Sequence, residues 1–319
     1  MPKYNIKHIT RYNYPQPVID SANQVMLFPI QDKWQEVSRH ELSITHQPQV
    51  ETFVDYFGNR IGVFSVVKAH DELTILSEID VITHPVILPQ ETLSPEAQWN
   101  ELNNVSAEYP YMDFVLQESI DSQEEIISMA AGIRRNNDTP LALVQQLSTY
   151  VYENFEYKKG ITNVETKVDE IWKLRAGVCQ DFAHVLLVML RSMGIPARYV
   201  SGYICPKDQE LRGEGATHAW VDAYIPLYGW LGLDPTNNCI VSDRHVRLAV
   251  GRHFSDCTPV KGTYKGSSEH SLEVSVSINN AGEKPLIVAE TPVFSYKVEN
   301  PAQVNNSYRR HLEMQQQQQ

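Results

Sequence analysis

The spacing of apolar positions changes along the chain, and the changes divide it. Apolar and polar residues alternate over residues 4–12, 41–45 and 73–82, the period of a half-buried strand. Within 53–64, two β-rich arms flank Gly58-Asn59, a hairpin signal. Residues 1–90 therefore read as a small all-β domain, a sandwich of short strands. Pro85, Pro89, Pro95 and Pro110 interrupt the next stretch, and residues 91–120 read as a linker. The period then becomes helical. Ile126, Ile127, Met129, Ala130 and Ile133 follow a cap at Asp121 or Ser122. Pro140 opens a second helix, with Val144, Leu147, Val151 and Phe155 on one face. A short helix over 168–174 leads into the next loop.

The chain is organised around Gly177-Val178-Cys179-Gln180-Asp181-Phe182-Ala183-His184 and its continuation to Gly194. Apolar residues cover nearly every face, so the pattern predicts a buried helix of roughly 15 residues, capped by Gly194. Cys179 stands at its start. A thiol there meets unpaired backbone N–H groups and the positive end of the helix dipole, which favour a thiolate. The position alone leaves a second reading open, a buried cysteine acting as a small hydrophobe.

After 197–204, the expected first strand of a core sheet, comes a polar loop over 207–217 that reads as mobile and as a border of the site. His218 then opens a strand, and Asp234 closes another before Pro235. A short turn at 226–229 joins them as an antiparallel hairpin, which brings the imidazole and the carboxylate together. Cysteine, histidine and acid in that setting form a nucleophile, base and orienter. Other candidates are weaker. His184 lies about 140° round the helix from Cys179 and reads as a core histidine. Asp181 reads as a local cap. Asp222 shares the strand face of His218 but lies about 13 Å along it. Trp220 and Trp230 fit an acyl groove or plain packing equally. Further strands are expected at 245–250 and 271–278.

G-V-C-Q-D-F-A-H, then T-H-A-W-V, then L-D-P-T-N, with the tail His245-Val246-Arg247-Leu248-Ala249-Val250-Gly251-Arg252, resemble the bacterial transglutaminase-like core, a branch of the papain-like thiol enzymes. The likeness spans about residues 141–263, and the N-terminal region resembles the β-rich domain that often precedes this core. The resemblance implies an α+β fold, with helices packed on an antiparallel sheet after a small all-β domain. It implies Cys179 as nucleophile, His218 as base and Asp234 as orienter, with Arg252, Asp256 and Tyr264 closing one side of the site. Residues 121–280 would then be the catalytic core and 281–319 an extension ending in a disordered glutamine tail. The implied chemistry is amide cleavage or acyl transfer through a thioester, on a peptide or protein substrate. A cysteine hydrolase of peptide or isopeptide bonds, a protein-glutamine transglutaminase and a non-catalytic peptide-binding module all remain open. No cofactor and no metal is implied.

Composition narrows the partners. The net charge is −12 over 319 residues, which argues against nucleic acid or an anionic membrane as partner. The first residues lack the apolar run of a signal peptide and no stretch reaches a membrane span, so the expected location is the cytoplasm. The four cysteines, at 179, 205, 239 and 257, include no C-x-x-C pair, so neither a disulfide framework nor a structural zinc site is expected.

Overall fold

The computed structural model of the chain describes residues 1–117, 119–163, 166–205, 211–212, 217–266 and 270–280. Most of the 207–217 loop and the whole 281–319 extension lie outside these residues.

Five strands come first: β1 (Lys3–Val25), β2 (Gln35–Ile44), β3 (Glu51–Val54), β4 (Arg60–Val66) and β5 (His70–Thr83). Helices and two short strands follow: α1 (Pro95–Ser106), α2 (Gln123–Ile133), α3 (Pro140–Asn154), β6 (Glu156–Tyr157), α4 (Val168–Leu174), β7 (Ala176–Gly177) and α5 (Cys179–Ser192). The rest is β8 (Ala197–Ile204), β9 (Thr217–Ile225), β10 (Gly229–Asp234), β11 (Cys239–Ile240), β12 (His245–Gly251), β13 (Val260–Lys265) and β14 (Ser271–Asn280).

β1 is 23 residues long and serves two sets of neighbours. Its first half lies between β5 and β14, and its second half between β4 and β13. Pro15 and Pro17 fall where the register against β5 shifts, between Asn13 and Val18, so their missing N–H groups cost no ladder bond. The two halves enclose one apolar core that includes Ile6, Val25, Leu27, Phe64, Leu73 and Ile79. This is the expected all-β unit with one correction. β13 and β14, residues 260–280, are hydrogen-bonded into it rather than into the core that the sequence assigned to 121–280. A strand's alternation fixes which side chains point inward, but not which distant strand it pairs with. The 91–120 stretch also holds more structure than a linker. α1 begins with Ser94, whose hydroxyl accepts the Ala97 N–H at 3.3 Å, and with Pro95 in its first turn. Of α1 only Gln98 and Leu102 are buried, which is why it shows no apolar period.

The second sheet is antiparallel, in the order β11-β10-β9-β8-β12. α3 and α5 pack on one face: Val144, Leu147 and Val151 share a core with Phe182, Val185, Leu186 and, from β9, Ala219, Val221 and Ala223. The other face meets the N-terminal unit through Tyr203, Val246 and Leu248. With both faces covered, every residue of β12 is buried. The N-terminal unit also seals the outer edge of β12. The Gln35 amide accepts the Arg247 N–H at 2.7 Å and donates to its carbonyl at 2.9 Å. The Asn59 amide does the same for Val250, at 2.8 and 2.7 Å. Two side-chain amides thus stand in for the missing neighbour strand and satisfy an edge that would otherwise be open. Among the described residues no helix is long and apolar enough to cross a membrane.

Candidate active site

The cysteine is set by the start of α5. The chain arrives extended at Val178, and Asp181 in the first turn accepts the Val178 N–H at 2.7 Å, one half of a capping box. The Thr162 hydroxyl donates to the same carboxylate oxygen at 2.6 Å. Burial nevertheless pushes the Asp181 carboxyl above its usual range. Gly177 makes room for it, because a Cβ there would overlap the carboxylate. At the far end Gly194 takes φ +75°. Its N–H donates to Arg191 at 3.0 Å and that of Ile195 to Leu190 at 3.1 Å, the paired bonds of a glycine C-cap. Cys179 is half-buried between these anchors.

The histidine and the acid come from the hairpin. β9 and β10 pair from Ile225 opposite Gly229 out to Val221 opposite Leu233. One step further, the side chains meet on the diagonal, with His218 Nε2 2.8 Å from Asp234 Oδ2. His218 is 2% exposed and Asp234 is fully buried. A carboxylate only accepts, so Nε2 carries the proton and Nδ1 remains for the thiol. Nδ1 is buried and makes no hydrogen bond among the described residues, and the Cys179 charge acts on the ring.

Asp234 is held from every side. Its Oδ1 accepts the backbone N–H groups of Thr236 at 2.9 Å and Asn237 at 3.3 Å. Its Oδ2 accepts, besides His218, the Asn237 side-chain amide at 2.7 Å and His245 Nε2 at 3.3 Å. Burial alone would raise this carboxyl, but the His218 charge and the donated hydrogen bonds hold it well below the usual carboxylate range. Burial likewise works against charging His218. The Asp234 and Cys179 charges outweigh it and push the imidazole up to about 10.

His245 reaches Asp234 because the sheet curls. β11 and β12 lie at opposite edges of the sheet, yet Ile240 and His245 are joined by a link of four residues. Trp220, Val200, Val241 and Val250 fill the inside of the curl. Gly202 and Gly232 permit it, since a Cβ at the first would strike the Trp220 ring and at the second Val241. His218, Asp234 and His245 are also a group whose ligand atoms all lie within 4.8 Å of one another, close enough to surround a metal ion. Hydrogen bonds among themselves already occupy the facing atoms.

The remaining sequence candidates lie elsewhere. His184 accepts the Phe254 N–H at 3.2 Å, and burial, with His253 and Arg191 nearby, pushes it down to about 3. Asp222 is fully buried between Arg198 at 3.0 Å and Arg247 at 3.6 Å. Trp220 is core. Trp230 packs against Tyr111, Phe114 and Tyr224. The Arg252 backbone N–H donates to the Asp256 carboxylate, and Tyr264 lies in β13 against Tyr14 and His270. Three further residues to which the sequence reading gives no role lie near the site. Tyr157 pairs beside Gly177, and burial and the Cys179 charge raise its phenol well above the usual range. Asn237 has a signal, since Asp234-Pro235-Thr236-Asn237 is a turn pattern in which the aspartate accepts the N–H two residues on. His245 heads the tail that carries part of the family resemblance, but nothing local in the sequence places it at Asp234; the curl does.

Comparison with known proteins gives the family and the fold. Residues 4–82 match the bacterial transglutaminase-like N-terminal region and residues 127–235 match the transglutaminase-like superfamily core. An uncharacterized protein of Mycobacterium leprae is 34% identical over 284 residues, covering 86% of this chain and 98% of that one. The chain belongs to the bacterial transglutaminase-like superfamily. A Cytophaga hutchinsonii crystal structure, reported as a candidate cysteine protease, superposes with a TM-score of 0.71 at 21% identity, over 92% of this chain and 93% of that one. It shares the transglutaminase-like α+β fold over nearly the whole length. A Pseudomonas aeruginosa protein-glutamine gamma-glutamyltransferase is 29% identical over 167 residues, which is 49% of this chain but 22% of that protein.

Proposed function

We propose that this transglutaminase-like protein is a thiol-dependent amide hydrolase that cleaves peptide or isopeptide bonds through a thioester. The observation that carries the reading is the buried His218–Asp234 pair, whose remaining ring nitrogen is left to Cys179 at the head of α5. In this mechanism His218 Nδ1 takes the Cys179 proton, and Asp234 fixes the ring and stabilises the imidazolium. The thiolate adds to the amide carbonyl carbon. The backbone N–H of Cys179, in the first turn and without an intrahelical acceptor, faces the oxyanion. The C–N bond breaks as His218 returns its proton to the leaving amine, and the acyl group stays on sulfur. Water, deprotonated by His218, then attacks the thioester, releases the carboxylic acid and restores the thiol.

The likeness to the Pseudomonas gamma-glutamyltransferase favours a second reading, in which a primary amine takes the place of water. One screen tests both. Peptide, isopeptide and glutamine substrates are incubated with and without a primary amine, beside Cys179→Ala. Hydrolysis that disappears in the variant supports the first reading. Amine incorporation without hydrolysis replaces it with the second. Turnover that persists in Cys179→Ala contradicts both.

A further inference from the structure

The geometry points to His245 as a positioning residue for the thiol: it holds Asp234, and through Asp234 the His218 ring, in the orientation that faces Cys179. The inference rests on the proposed role of these three residues.

The backbone N–H of Ser242 donates to His245 Nδ1 at 3.2 Å. A backbone N–H can only donate, so Nδ1 keeps its lone pair and the ring proton is on Nε2. That proton points at Asp234 Oδ2, 3.3 Å away. The titratable groups facing His245 are Asp234 from β10, His218 from β9 and Arg247 on its own strand. Burial, with help from His218 and Arg247, keeps His245 neutral against the pull of Asp234. Its tautomer therefore stays fixed while His218 gains and loses a proton. The Trp220 edge packs on the ring at a centroid distance of 5.3 Å and an interplanar angle of 80°, so the ring cannot turn freely. Asp234 Oδ2 thus meets two imidazole N–H groups, one mobile in charge and one constant. The constant one and Asn237 determine where the oxygen sits, and the oxygen determines where Nδ1 of His218 points.

Alkylation of Cys179 by iodoacetamide, followed from pH 4 to pH 9 on the full chain, reads the thiol directly and needs no substrate. His245→Phe keeps a ring against Trp220 but removes the donor. The pH profile of its alkylation should change, and its rate at pH 7 should fall about tenfold. His245→Gln restores an N–H near the Nε2 position and should stay within about twofold of the parent rate. A shared loss of melting temperature in both variants, with the pH midpoint unmoved, would mark His245 as structural and overturn the inference. An unmoved profile in His245→Phe would overturn it equally. If Cys179 in the parent protein alkylates no faster than a free thiol, the triad itself fails and the role of His245 fails with it. A fast parent thiol with an unmoved variant defeats only the inference.

Discussion

At the scale of single residues, the four cysteines separate by environment. Burial drives Cys257 well above an ordinary thiol, and burial with the nearby Asp234 charge pushes Cys239 up to about 12; Cys205 is fully buried. Cys179 alone stands half-exposed at a helix start beside an imidazole raised to about 10. It should therefore alkylate much faster than the others near neutral pH, as peptide mapping after a short pulse would show. The two aspartates of the hairpin divide the same way. Asp234→Ala should lower kcat by about 10²–10⁴, on the scale of lost orienters. Asp222→Ala should leave chemistry nearly intact but cost about 3 kcal/mol of stability, because Arg247 and Arg198 lose their buried partner. Normal turnover in a folded Asp234→Ala protein would contradict the assignment. The pair also has a pH signature. The raised His218 contributes stability that is full below its unfolded value of about 6.5 and is lost as pH rises through about 10. The depressed Asp234 contributes above about 4 and loses it as pH falls. The melting-temperature gap between the parent and His218→Gln should thus be widest near pH 4–6.5 and narrow toward pH 10. Cys179, His218 and Asp234 are legible in sequence because each sits at an element boundary that local signals mark. His245 is not, since its contact depends on the curvature of a whole sheet.

At the scale of elements, the loop that presents the thiol has little tolerance. Gly177→Ala places a Cβ on the Asp181 carboxylate, so the carboxylate must give up the Val178 N–H. The expected loss is about 1–3 kcal/mol, together with slower alkylation of Cys179. Thr139→Ala removes an N-cap bond of 3.1 Å to Ala142 and should cost about 1 kcal/mol while leaving the thiol unchanged. Equal effects of the two variants on the thiol would show that α5 does not depend on its own capping. α5, α3 and the β9–β10 hairpin are legible because apolar period, cap residues and turn residues agree in each. α1 is hidden by its polar composition, although Ser94-Pro95 marks its start. β1 reads short in the sequence because the alternation ends at Tyr12, whereas the strand runs on through Pro15 and Pro17, which sit where the register shifts and no ladder bond is needed.

At the scale of the molecule, the chain closes on itself. The first strand pairs with the last described one, and Gln35 and Asn59 seal the sheet that carries His218 and Asp234. The sequence pattern alone suggests a core separable near Ser122. The pairing predicts otherwise: a chain starting at Ser122 leaves β13 and β14 without partners and the β12 edge open, and should aggregate or lose cooperative melting. A soluble, cooperatively melting fragment with a reactive Cys179 would contradict that expectation. Long-range pairing of this kind is not legible, because alternation carries no address for the partner strand. The central claim, that Cys179 forms an acyl thioester with His218 as its base, is tested most directly by trapping that species. The full chain is mixed briefly with an activated ester such as p-nitrophenyl acetate, quenched in acid and mapped by mass spectrometry. A single acyl group on Cys179, absent in Cys179→Ser and formed at least about 10²-fold more slowly in His218→Ala, is the predicted result. Acyl groups scattered over several side chains, or acylation of Cys179 at an unchanged rate in His218→Ala, would contradict it.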